Sequence, residues 1–177
     1  MERKNGQDVR LEDVAHAAGI SRQAVYLHFR TRAELLVATV RFVDEENGVE
    51  ERVRAFASAV DGVQALEVFM EWWGGYIPEI YGLAKALLAA RETDQAAAAA
   101  WDDRMGALRN GCRSIIRCLK RDEMLALDWD LEQAADLLWS MISVSVWENL
   151  TVECGWSNRQ YISRMQAVLK QTFVRKA

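Results

Sequence analysis

The side chains best suited to a specific chemistry stand in one run, SRQAVYLHF, residues 21–29. Ser21 can cap a helix, which places Arg22 and Gln23 in its first turn. A long donor there can reach base edges: the Arg fork suits guanine and the Gln amide suits adenine. Ser21 and the helix N-terminus can meet a phosphate. Tyr26 and His28 lie off the apolar stripe of Val25 and Phe29 and would turn toward a phosphate backbone. Each of these residues also fits a plainer role. Tyr26 suits amphipathic packing, His28 a core histidine, and Arg22 with Gln23 a merely solvated face. This is the chemistry of recognition rather than of catalysis. Both histidines fall within the first 28 residues, and there is no Gly-rich phosphate loop, no His-Glu-x-x-His and no Cys-x-x-Cys. Cys112, Cys118 and Cys154 have no metal-ligand spacing and read as reduced thiols of a cytoplasmic protein. The expectation is therefore no enzyme, no catalytic residue, no metal and no cofactor.

Such donors must be held by neighbouring elements. Upstream, Leu11, Val14, Ala15 and Ala18 form one stripe at spacings of three and four. Gly19-Ile20 breaks that run before Ser21 starts the next. Two short amphipathic helices joined by a tight turn containing Gly make a helix-turn-helix. Thr31 followed by Glu34 is a capping box opening a third helix, with Leu35, Leu36, Thr39, Val40 and Val43 as its stripe. Asn47-Gly48 marks a hinge, and residues 49–60 read as an ambiguous link.

The segment RLEDVAHAAGISRQAVYLHFRTRAELL, residues 10–36, resembles the TetR-type transcriptional regulators. It carries an Ala-Gly-Ile-Ser turn, a Tyr-x-His-Phe end to the recognition helix, and a basic residue, Arg32, beside a helix-opening Thr. The resemblance implies that residues 21–29 enter the major groove and that Arg32 contacts phosphate. It implies a DNA-facing set of Arg10, Ser21, Arg22, Gln23, Ala24, Tyr26, His28, Thr31 and Arg32. Arg10 stands where the family often has a capping Thr. Only MERKNGQDV precedes the second helix, so the family's first helix is expected to be missing or truncated.

Beyond the head, Asp61, Asp94, Asp130 and Ser157 each offer a cap to a further helix. Gly74-Gly75 is expected to interrupt the first of these, with Pro78 opening another through about residue 90. The helix begun at Asp130 is expected to run to roughly Glu153, ended by Gly155. No stretch alternates as a strand, and a single proline favours helix throughout. The expected fold is all-α: a helix-turn-helix DNA-binding domain over residues 1–46, then a larger helical ligand-binding and dimerisation domain over residues 47–177.

All seven tryptophans lie beyond residue 70. Most of the aromatics must fill a core. By resemblance the central helices surround an apolar cavity, for which Trp73, Tyr76, Tyr81, Trp101, Met105 and Trp139 are the candidates. The segments 131–153 and 158–175 resemble the family's dimerisation pair, with Ile142, Val146, Trp147, Met165 and Leu169 as candidate contacts. Net charge is −4, yet residues 1–36 carry six Lys/Arg against five Asp/Glu, so the head alone is slightly basic. No apolar run reaches the roughly 20 residues that cross a bilayer. The expected partners are double-stranded operator DNA, a small apolar effector and a second copy of the chain, with no membrane. The expected function is a homodimeric one-component repressor released by its effector. The alternative is a dimeric small-molecule-binding protein with a vestigial head.

Overall fold

A computed structural model describes residues 15–16, 19, 21–46, 48 and 61–175, with the backbone alone of Arg22, Arg32 and Ala33. Every regular element among the described residues is helical. In chain order these are α1 (Arg22–His28), α2 (Arg32–Glu46), α3 (Gly62–Ala90), α4 (Gln95–Arg121), α5 (Leu131–Met141), α6 (Val144–Glu148), a π-helical turn (Asn149–Glu153) and α7 (Asn158–Phe173). Ala15 and His16 are also helical. Among the described residues the extended pairing is one isolated bridge between Leu125 and Val174. The protein is all-α with an N-terminal helix-turn-helix, as the residue patterns implied.

The caps explain where the helices start. Ser21 Oγ accepts from the Ala24 N–H at 3.1 Å, and Asp61 from Gln64 at 2.8 Å. Asp94 accepts from Ala96 and Ala97, and Asp130 from Glu132 and Gln133. Ser157 and Gln160 form a complete capping box. Each satisfies N–H groups that the first turn leaves without partners. At α2 the box is shifted by one residue. Thr31 Oγ1 accepts from Glu34 N–H, but the Glu34 carboxylate accepts from the N–H of Arg30 rather than of Thr31.

Two expected boundaries are corrected. Gly74-Gly75 and Pro78 do not divide a helix: α3 runs unbroken from Gly62 to Ala90. Proline removes the N–H that the Gly74 carbonyl would accept four residues on. That carbonyl instead accepts from Asn158 Nδ2 at 2.7 Å, and Asn158 Oδ1 accepts from the Trp147 indole at 3.1 Å. Gly74 itself permits close packing, since a Cβ there would stand 2.2 Å from Ile162 Cγ1. Conversely, residues 131–153 are not one helix. α5 stops at Met141, Ser143 caps α6 through its Oγ, and the π-helical turn follows. The Ile142 carbonyl at the break accepts from the Trp73 indole at 2.8 Å.

The chain packs as two units. One holds residues 1–48 and 79–105, the other residues 49–78 and 106–177, so α3 and α4 each contribute to both. The boundary expected between residues 46 and 47 falls at Asn47, outside the described residues, as do the link 49–60 and the expected truncated first helix. In the second unit the buried side chains include Phe69, Met70, Ile116, Leu138, Tyr161 and Phe173, drawn from α3, α4, α5 and α7. No described helix is long and apolar enough to cross a membrane.

Candidate nucleic-acid interface

α1 has only seven residues, too few to be stable alone. It is held by a small core of Ala15, Val25 and Leu35, with Phe29 half-buried against it. Phe29, assigned to the core by its stripe, is thus covered on part of its surface only; it lies at the C-cap, where the backbone turns extended. The turn before α1 passes through Gly19 at φ +66°, a left-handed conformation that glycine adopts without strain. The fixed turn and the buried Val25 set which side of α1 faces outward.

The outward side carries most of the expected contacts. Ser21, Gln23, Tyr26, His28 and Thr31 are exposed, while Ala24 is half-buried. Arg10 and the side chains of Arg22 and Arg32 lie outside the described residues. The residue patterns passed over Leu27, which is 78% exposed. Its signal in the sequence was an apolar side chain off the Val25/Phe29 stripe.

The head is fastened beyond itself. Leu36 of α2 is fully buried with Leu83, Ala86 and Leu87 of α3 and Ala97 of α4, and Val40, Val43, Ala90, Ala100 and Trp101 pack around them. Arg104 bridges Asp44 of α2 to Asp103. Burial works against the Arg104 cation, but hydrogen bonds to Asp103 and Asp44 outweigh it and hold the guanidinium above its ordinary range. The attachments of α2, all within one packing unit, were not legible as contacts in the sequence because Leu36 and Asp44 lie 47 to 61 residues from their partners in α3 and α4.

The six cavity candidates fall in different places. Trp73 and Tyr76 are buried in the second unit, with Trp72 stacked on Tyr76 at 5.5 Å and 13°. Trp139 is half-buried in that unit, with the Arg109 guanidinium 6.0 Å from its ring. Tyr81, Trp101 and Met105 are half-buried in the first unit, where Trp101 packs on the cluster around Leu36 and Arg91 lies 5.8 Å over its ring. Of the candidate dimer residues, Ile142, Trp147, Met165 and Leu169 are buried by their own chain and Val146 is half-buried. Side chains so covered have little surface left for a second copy.

A capped short helix, pinned by its inner face and polar on most of its outer one, is a helix-turn-helix head of the DNA-reading class. Residues 3–39 match the bacterial regulatory proteins of the tetR family. The fold is that of solved transcriptional regulators. A protein described as a transcriptional regulator from Saccharomonospora viridis, in complex with choline, superposes with a TM-score of 0.84 at 16% identity, covering 99% of this chain and 92% of that one. A TetR-family transcriptional regulator from Thermus thermophilus gives 0.72 at 18% identity, covering 96% and 92%. The ketosteroid transcriptional regulator of Mycobacterium tuberculosis gives 0.70 at 15% identity, covering 99% and 89%. No curated protein matches the sequence. The head is thus similar in sequence to the tetR family, and the whole chain shares the fold of these solved regulators.

Proposed function

We propose that this chain is a homodimeric one-component transcriptional regulator that represses by holding operator DNA through α1 and lets go when a small apolar effector binds. The observation that carries this is α1 itself, with Val25 inside and Gln23, Tyr26 and His28 outside, within the segment that matches the tetR family. A recognition helix so presented can lie in the major groove, with Gln23 and Arg22 at base edges and Ser21, Thr31 and Arg32 at phosphates.

Release needs coupling between two sites, so the effector must prefer the geometry that does not fit DNA. The cluster of Leu36, Leu83, Ala86, Leu87 and Ala97 supports such coupling, because α2 cannot stay still if the ends of α3 and α4 shift. Within the second unit, Trp73 and Tyr76 of α3 and Trp139 of α5 are the aromatic side chains that could wall an effector site, and a regulator of this fold from Saccharomonospora viridis is in complex with choline. A second copy would meet the outer faces of the last helices, where Val168 of α7 is exposed. Two heads on a twofold axis then read half-sites about one DNA turn apart.

The test is a fluorescence anisotropy titration against the promoter upstream of the chain's own gene. Sequence-specific binding is expected, and Arg22→Ala with Gln23→Ala should abolish it. Unchanged specific affinity in that double variant would defeat the assignment. Weak binding indifferent to sequence would favour a vestigial head.

A further inference from the structure

We propose that Leu27 is a specificity-determining residue that reads the 5-methyl group of a thymine, within two base pairs of the adenine read by Gln23. This rests on the DNA-reading function proposed above. Leu27 follows the buried Val25 by two residues, roughly 200° around a helix, and so stands on the opposite side. It is absent from the cluster of Ala15, Val25, Leu35 and Phe29 that holds α1. A single exposed leucine on an ordinary surface needs no explanation. Here it occupies the outermost line of a helix whose other exposed members, Gln23, Tyr26 and His28, all have polar groups.

Gln23 and Leu27 are four residues apart and share one face. In the major groove the thymine methyl is the apolar feature that bases display, and an aliphatic side chain is its complement. Four helical residues rise about 6 Å, and successive base pairs are about 3.4 Å apart. The two side chains therefore meet neighbouring or next-neighbouring pairs. The head's basic excess is small, six Lys/Arg against five Asp/Glu over residues 1–36. Phosphate attraction is modest in consequence, and base contacts carry more of the discrimination.

The full chain is used to select duplexes from a randomised pool, and each thymine of the selected sequence is then replaced singly by uracil, which removes only the methyl. One replacement per half-site should weaken binding about fourfold, the worth of one buried methyl. Leu27→Ala, which changes both heads of the dimer, should bind the thymine duplex about as weakly as the native chain binds a duplex with that thymine replaced in both half-sites, and should lose the thymine–uracil difference at that position alone. Circular dichroism should show the variant fully folded, since the removed atoms are solvated. If native protein ignores every thymine-to-uracil change, or Leu27→Ala keeps the discrimination, the inference is overturned. If no sequence is selected at all, the DNA-reading function falls and takes this inference with it.

Discussion

Replacing Asn158 by alanine removes two hydrogen bonds made by one side chain to elements far apart in sequence. The Gly74 carbonyl loses its donor at 2.7 Å, and the Trp147 indole N–H loses its acceptor at 3.1 Å. Both sites are half-buried, so each lost partner costs about 1–2 kcal/mol, the lower part of the range for an unsatisfied buried group. Asn158→Ala should therefore destabilise by about 2–4 kcal/mol. The Gly74 share exists only because Pro78 has no N–H. In a Pro78→Ala background the helix supplies its own donor to that carbonyl, and the same Asn158→Ala change should cost only the Trp147 share, about 1–2 kcal/mol. The double-mutant cycle thus predicts a coupling of about 1–2 kcal/mol. Equilibrium urea unfolding followed by far-ultraviolet circular dichroism, at one fixed protein concentration, measures all four corners. Equal costs in the two backgrounds, within about 0.5 kcal/mol, would refute the claim that Asn158 compensates for the proline.

Gly74→Ala should destabilise by about 2 kcal/mol through overpacking, and Ile162→Ala in the same chain should return part of it, because Ile162 is what the new Cβ meets; no relief in the pair would show that the glycine serves another purpose. Gly62→Ala should cost more than Gly74→Ala, since its Cβ would strike the backbone of Leu119 at 2.5 Å, which cannot rotate away. The Asp122 carboxyl is held below its ordinary value, first by the Arg121 guanidinium and further by the Gly62 N–H, against the opposing pull of burial. A depressed folded value means stability present above the unfolded value of about 3.9 and lost as pH falls through the folded one. Asp122→Asn should accordingly lower the urea midpoint at pH 7, with the gap closing below pH 4; a gap that persists in acid would contradict that origin.

Much of this protein could be read from residues a few positions apart. Ser21, Thr31, Asp61, Asp94, Asp130 and Ser157 each mark a helix start, because an N-cap and the N–H groups it satisfies lie within three residues. The alternation of Val25 and Phe29 against Gln23, Tyr26 and His28 gave the orientation of α1 for the same reason. Leu27 was passed over because an exposed apolar residue carries no periodic signal of its own.

What the chain alone could not settle depended on groups brought together from far apart. Gly-Gly and Pro locally weaken a helix, yet α3 continues because Asn158, 84 residues away, takes the carbonyl that Pro78 leaves free. The stretch after Asp130 looked helical to Glu153, yet it breaks at Ile142, whose carbonyl is taken by Trp73 from 69 positions away. Leu36 looked like one member of a stripe, and packing made it the anchor between the head and the ends of α3 and α4. Short-range hydrogen bonds and helical periodicity depend on local order and so are written in the sequence. The donor a carbonyl finds when its own helix fails it depends on which surfaces fold together, and only tertiary structure decides that.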